Sequence, residues 1–514
     1  MNIIPRPFET KVKDGNTCFS ASTRVNCDFD IIKSELNFLD FEEGEVNNIT
    51  FKIGDTDFDY ELTIDGDITV VAKTEEGLFH GCQTLKQLIF DGYRDGVATL
   101  ENCVIKDKPR FPYRSFMLDI VRHFFDKEVI KGLIDILALV KINRFHLHLS
   151  DNQGYRVEST VFPALNEKAN FRPGTKGDGV PVGGYLTKDD VREIVAYAGE
   201  RFIEVVPEVD LPGHTLAFLL AMPELGCTGE QYAPTESYGI DDRILCAGNE
   251  KVYDFIEKLL TELSELFPSK YFHLGGDEVP KSQWRQCKKC QELMAREHLN
   301  DCEELQGYFT NRVINILKSL GKTPIVWNEA LYSGILDDSA ICQYWSDGKK
   351  ATAVRDALAS GRKMYVSRTF PYYIDYPHGM NKLKSTYNFE PTSCFKGVSA
   401  ENIDENIMGV ECPLWTEWVA DVDKLHRQAF PRTIAVAETG WSTPEKDYKD
   451  FEERLYNVLG MLEAYEIGYT HPKKANPNPF KALGETLAFL TNMIEPAAIK
   501  SLINARDAKK GMKK

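Results

Sequence analysis

Between residues 110 and 417 the chain repeats one pattern: a short apolar run, a polar cluster at its end, then a connection that often has helical spacing. The runs are Ser115–Val121, Arg144–Leu149, Phe202–Pro207, Tyr271–Leu274, Thr323–Trp327, Ile341–Trp345, Lys363–Val366 and Ile407–Leu414. Among the connections, Lys127–Val140, Thr187–Glu200 and Val252–Leu266 carry the periodicity of amphipathic helices, and Thr187 caps its helix ahead of Asp189 and Asp190. Short apolar runs alternating with helices predict parallel strands, because a parallel neighbour is reached only through a crossover. Eight such units favour a closed (β/α)8 barrel, an α/β fold, over an open sheet. The polar clusters then gather on one face, where the carboxyl ends of all eight strands open.

The first 108 residues follow another rule. Phe51–Ile53, Tyr60–Ile64 and Ile68–Ala72 alternate apolar and polar residues like half-buried antiparallel strands, and Asp65-Gly66-Asp67 supplies a tight turn. Glu75–Phe90 then has helical spacing. This segment reads as a small α+β domain without a catalytic constellation. The expected organisation is that domain over 1–108, the barrel over 109–470, and a helical extension with a basic end over 471–514. A chain of 514 residues has room for all three.

A net charge of −17 argues against nucleic acid, which needs a basic footprint. The most apolar stretch, Val129–Ile142, is interrupted by Lys131, Asp135 and Lys141, so it fits a core helix and not a membrane span. Met1–Thr10 lacks the basic and apolar regions of an export signal, and the twelve cysteines form no dense framework; a cytoplasmic location is expected. Phosphate-loop and dinucleotide fingerprints are missing, and no cofactor is expected. Cys287-Lys-Lys-Cys290, with Cys302 nearby, has no second pair at finger-like spacing. These read as unpaired helix thiols, and no metal is assigned. His146 and His148 alternate on a strand and read as core or supporting residues.

The densest chemistry lies in Tyr271-Phe-His-Leu-Gly-Gly-Asp-Glu-Val-Pro280. A buried strand meets two glycines that let the backbone turn, and Asp277 and Glu278 follow. Neighbouring side chains there point in different directions, so one acid can face a scissile bond while the other holds a different part of the same substrate. Asp-Glu after Gly-Gly is also an ordinary polar turn. The strand before it and the tryptophans at other strand ends, Trp327, Trp345 and Trp415, favour a site, because barrel interiors are filled by Val, Ile and Leu.

Seven segments together carry a resemblance to glycoside hydrolase family 20, the β-N-acetylhexosaminidases, over roughly residues 5 to 470. They are Arg110–Asp119 with Arg122-His-Phe124, His146–Gly154, Pro207–His214, His273–Glu278, Trp327-Asn-Glu329, Tyr373-Ile-Asp375 and Leu414-Trp-Thr-Glu417. The resemblance implies an exo-acting, retaining, substrate-assisted glycosidase acting on N-acetylhexosamine-terminated oligosaccharides or glycoconjugates. It makes Glu278 the acid and base and sets Asp277 against the substrate's acetamido N–H. Tyr373 donates to the acetamido oxygen, and His214 and Asp151 orient Glu278. Trp327, Trp345 and Trp415 become pocket walls, and Arg114, Asp375 and Glu417 ligands of the outer hydroxyls. Tyr155 and Phe389 depart from the family pattern, Phe389 at an expected pocket position. A same-family lacto-N-biosidase and a catalytically silent sugar-binding barrel are the rival readings. Retention of both acids and the aromatic set argues against the silent one.

Overall fold

A computed structural model describes residues 1–20, 23–37, 48–175, 178–348 and 351–493. The expected basic end falls within 494–514, outside the described residues. Eight parallel strands close into a barrel in chain order: Tyr113–Asp119, Arg144–His148, Glu204–Glu208, Tyr271–His273, Thr323–Trp327, Ile341–Tyr344, Met364–Val366 and Ile407–Leu414. The last pairs with the first from Gly409 opposite Tyr113 to Leu414 opposite Leu118. Each expected strand is present, shifted by at most two or three residues at its ends.

The connecting helices bury one face each. Lys127–Leu139 starts at Asp126, whose carboxylate accepts from the backbone of Glu128 and Val129, and it buries Ile130, Leu133, Ile134 and Leu137. Lys188–Glu200 starts with a capping box in which Thr187 and Asp190 bond reciprocally. No described helix is long and apolar enough to cross a membrane.

The N-terminal unit is a seven-stranded sheet covered by the helix Glu75–Gly92. It is mixed and not purely antiparallel: Asn48–Ile53 runs parallel to Asp67–Ala72 and also to Arg24–Asn26. Its link to the barrel is a buried polar knot. Asp107, ending the strand Val97–Asp107, meets the Lys141 ammonium at 2.9 Å with both side chains fully buried. Tyr60 donates to the same carboxylate at 2.6 Å, and the Trp441 indole donates at 2.9 Å. Trp441 belongs to the barrel's helical layer yet packs in the core of the N-terminal sheet.

Removing one partner of a buried ion pair strands the other. Asp107→Asn therefore lowers the unfolding free energy by roughly 3 kcal/mol, read as a lower midpoint in urea. Adding Lys141→Met, which removes the stranded ammonium, recovers part of that loss.

Candidate active site

The fourth strand, Tyr271–His273, delivers the two acids through a turn that only glycine can make. Gly275 and Gly276 have φ of +63° and +101°, and a Cβ on Gly275 would collide with the Asp210 carboxylate. The turn is clamped from three sides: Gly276 N–H donates to Asp210 at 2.8 Å, Gln306 donates to the Gly276 carbonyl at 2.8 Å, and Glu278 N–H donates to Glu329. Glu278 itself has φ +49°, and His214 has φ +54°. Left-handed backbone at two non-glycine residues costs on the order of 1–3 kcal/mol each and persists only where the surroundings impose it. Both residues face the same cavity.

A chain of charges supports them. Asp151 lies 3.0 Å from His148 Nε2, 3.1 Å from His214 Nδ1 and 2.7 Å from the Arg122 guanidinium. Its burial would raise its pKa, but Arg122 and His214 hold the carboxyl well below the usual range. The same partnership works on His214, which burial would keep neutral but the charges of Asp151 and Asp210 hold well above its ordinary value. The other ring nitrogen of His214 stands 3.7 Å from Glu278 Oε2. That is longer than a hydrogen bond, as catalytic contacts often are before substrate binds.

The cavity between these groups, about 270 Å³, is also lined by Trp345, Tyr373, Asp375, Trp415, Glu417 and Trp418. It is small on the scale of ligand pockets of roughly 300–1,000 Å³ and suits one sugar unit with an open end. Tyr373 and Trp345 stack at 6.1 Å, and the Arg122 guanidinium lies 4.9 Å over the Trp415 ring. Burial, with Asp277 next, pushes the Tyr373 phenol well above its ordinary value, so it stays a donor. Burial, then the charge of Asp210, pushes Asp277 up, and its Oδ1 is sealed from water with no partner. Asp375 shows the same combination, raised by burial and Glu417, with its Oδ1 unpaired. Both residues line the cavity, and a buried acceptor without a partner is a place for a ligand donor. Two larger cavities, about 580 and 650 Å³, lie at the strands' amino ends, away from the site face.

Of the residues singled out above, Asp277, Glu278, His214, Asp151, Tyr373, Trp345, Asp375, Trp415 and Glu417 all line this cavity. Arg114 does not. It sits at the start of the first strand, donating to the carbonyls of Lys141 and Phe111 beneath the ring of Trp441, at the domain junction. Arg122 occupies the cavity in its place, three residues past that strand's carboxyl end, 3.9 Å from Glu417 and bonded to Asp119 and Asp151. Trp327 is fully buried behind the lining, its indole donating to Glu208 at 2.8 Å and its ring 6.1 Å from Trp415. Phe389 packs edge-on against Tyr372, and Tyr155 against Phe218; neither lines the cavity. Asp210, Tyr376, Trp418 and Phe489 were not anticipated. Asp210 and Trp418 stand within or beside the quoted segments, so strand-end position was an available signal. Phe489 comes from the C-terminal helix Pro479–Met493 and had none.

His146 and His148 take the supporting place expected of them. His148 bridges Glu208 and Asp151, and His146 stands 3.2 Å from both Glu208 and Glu411. Away from the cavity, the reading of Cys287 and Cys290 as isolated thiols needs correction. Cys227 and Cys246 converge on them, and all four sulfurs lie within 4.8 Å of one another.

A parallel barrel with adjacent acids on a strained strand end, inside an aromatic pocket the size of one sugar, is a layout that suits a glycoside hydrolase. The family model described as the glycosyl hydrolase family 20 catalytic domain matches residues 111–444, and that of the family's domain 2 matches residues 56–108. The chain belongs to glycosyl hydrolase family 20. It is 35% identical over 428 residues to a β-hexosaminidase of Porphyromonas gingivalis, covering 80% of this chain and 54% of that protein. To a β-hexosaminidase of Akkermansia muciniphila it is 33% identical over 395 residues, covering 74% and 78%. A solved exo-β-N-acetylglucosaminidase of Vibrio harveyi, in complex with N-acetylglucosamine, superposes with a TM-score of 0.82 at 30% identity, over 92% of this chain and 78% of that one. The chain thus spans about half the length of the first of these relatives and over three quarters of the others.

Burial, with Glu208 and Asp151 adding to it, pushes the Asp210 carboxyl up to about 7. Unfolded, it ionises near pH 4. The unfolded chain therefore loses this proton first, and stability falls as pH rises from about 4 to about 7. Asp210→Asn keeps the acceptor for Gly276 N–H and cannot ionise. Its stability relative to the parent should rise across that window by about 4 kcal/mol and level off above it, as read by urea unfolding at each pH.

Proposed function

We propose that the protein removes single terminal, non-reducing β-linked N-acetylhexosamine residues with retention, using the substrate's own 2-acetamido group as nucleophile. The observation that carries this reading is Asp277 Oδ1, buried and unpaired beside a phenol held in its donor form, with Glu278 next along the chain. An acetamido group fits between them: its N–H meets Asp277 and its carbonyl oxygen meets Tyr373. Tyr373 then holds that oxygen toward the anomeric carbon. Glu278 protonates the glycosidic oxygen as the carbonyl attacks, the aglycone leaves, and a bicyclic oxazolinium forms. Positive charge grows at the acetamido nitrogen, and the ionised form of Asp277, costly in the empty pocket, becomes favourable at that moment. Glu278 next takes a proton from water, which opens the ring from the face the aglycone left. Two inversions at one carbon give retention.

His214 and Asp151 position Glu278 and place a positive charge beside it. Arg122, Asp375 and Glu417 ring the closed side of the cavity and suit the hydroxyls of a terminal sugar through charge-assisted bonds. A preceding sugar would replace one hydroxyl by an ether and leave a buried charge unpaired, costing on the order of 2 kcal/mol before any steric clash. Phe489 walls this side as well, its ring 5.4 Å from Tyr376 and 6.3 Å from Trp418. N-acetylhexosamine-terminated glycans are the substrates this arrangement fits.

General-acid help matters most for a basic leaving group. Glu278→Gln should slow hydrolysis of a β-N-acetylhexosaminyl disaccharide by about 10²–10⁴-fold and hydrolysis of a dinitrophenyl glycoside far less. Equal losses on both would count against the assignment, as would turnover of a glucoside lacking the acetamido group at a comparable rate.

A chitin oligomer labelled at its reducing end should shorten by one sugar at a time, with free N-acetylhexosamine as the first product. Early disaccharide would point to a biosidase, and early mid-length fragments would refute the closed pocket.

A further inference from the structure

Four cysteines from three separate stretches of chain share one buried point. Cys246 Sγ stands 3.7 Å from Cys287 Sγ and 3.7 Å from Cys290 Sγ, and Cys227 Sγ stands 4.0 Å from Cys290 Sγ. Tetrahedral zinc with sulfur at about 2.3 Å sets its ligands about 3.8 Å apart. A disulfide would bring two sulfurs to about 2.05 Å, whereas Cys246 is equally far from two partners. Cys246 and Cys290 are fully buried and Cys287 nearly so, which suits a closed structural centre with no open position.

The backbone around the sulfurs is built for the same purpose. Cys287 and Cys290 flank the first turn of the helix Lys288–Arg296, where free N–H groups and the helix dipole favour thiolate. Gly248, two residues after Cys246, lies against the same turn. The loop fits over the Cys287–Cys290 turn because residue 248 is glycine: a Cβ there would collide with the backbone of Lys289 and Cys290. Cys246 N–H donates to the Leu225 carbonyl at 2.9 Å, so the strands of the loop that bear Cys227 and Cys246 are themselves zipped together. Trp284, just ahead of Cys287, donates to the Leu245 carbonyl at 2.9 Å.

We propose that Cys227, Cys246, Cys287 and Cys290 bind one structural zinc ion as four thiolates. The ion closes a loop that runs from Cys227 to Cys246 and carries Tyr238, Gly239 and Ile240 to the wall of the active-site cavity. Its other two ligands lie within one helical turn of each other, shortly after Glu278. The zinc thus staples a substrate-side loop to the segment that leaves the catalytic acid. It takes no part in bond making, since the cavity residues and the sulfurs belong to different clusters.

The test uses the full-length protein purified under reducing conditions from zinc-replete medium. Elemental analysis should find one zinc per chain, and titration of thiols with an organomercurial in the presence of a zinc dye should release that zinc. Cobalt exchanged into the protein should show thiolate-to-cobalt charge transfer and tetrahedral visible bands. Cys246→Ser and Cys290→Ser should lose the metal, while Cys302→Ser, buried but outside the cluster, should keep it. Should the two variants fold poorly, the zinc content and cobalt spectrum of the parent protein decide alone. Less than a tenth of a zinc per chain, iron in its place, or an intact mass lower by two or four hydrogens from disulfides would each overturn the proposal.

Discussion

The structure depends on a buried carboxylate, Glu208, at the end of the third barrel strand. It accepts from His148 at 2.5 Å and from the Trp327 indole at 2.8 Å, with His146 at 3.2 Å. Burial alone would push this acid up, but His148, His273 and His146 hold it well below the carboxylate range. Removing an ionised carboxylate from water is costly unless its charge is paired and its lone pairs are filled, and here three neighbouring strands supply the partners. His148 then passes the arrangement on to Asp151, which fixes Arg122 on one side and His214 on the other. Through His214 this arrangement reaches Glu278 by side chains that are themselves buried. A change at Glu208 would be felt at Glu278 without touching it.

Around that chain the site combines strain with rigidity. Glu278 and His214 adopt backbone conformations that their side chains disfavour, and the glycine turn before Glu278 is clamped by Asp210, Gln306 and Glu329. Packing elsewhere offsets this cost: Trp327 and Trp415 wedge between strand ends, and the His273 ring lies 4.8 Å from Trp327. Burial disfavours the ionised forms of two acids that line the cavity, Asp277 and Asp375.

The outer parts of the molecule attach to the two ends of the barrel. The N-terminal sheet meets the barrel at its amino end through Asp107, Lys141 and Trp441, far from the catalytic face. On the catalytic face, the segment around Tyr238 is tied to the barrel by Arg172, which bonds Tyr238 at 2.9 Å, and by Gln153, which bonds the Ser237 carbonyl at 2.9 Å. The cysteine cluster anchors the same loop from its other side. The C-terminal helix adds Phe489 as a last wall.

The alternation of apolar runs and helices determined the barrel, because eight strand-sized segments with crossover-length connections have few other ways to bury themselves. Local spacing likewise marked the acids: Asp277 and Glu278 follow a strand and two glycines, and their place at a strand's carboxyl end could be read directly. The same rule applied strictly would have preferred Arg122, past the end of the first strand, to Arg114 near its beginning; the strand's direction decides which guanidinium reaches the cavity. Whether a strand-end tryptophan lines the pocket or stands behind it was decided only in three dimensions. Trp327 and Trp415 have similar surroundings in sequence, but Trp327 turns inward to fill a lone pair of Glu208. The parallel pairing of Asn48–Ile53 was also hidden, since alternation reports one covered face and not strand direction. Phe489 and the meeting of Cys227 and Cys246 with Cys287 and Cys290 lay furthest from view. Their partners are 41 or more residues apart along the chain, and only the closing of the loops brings them within reach.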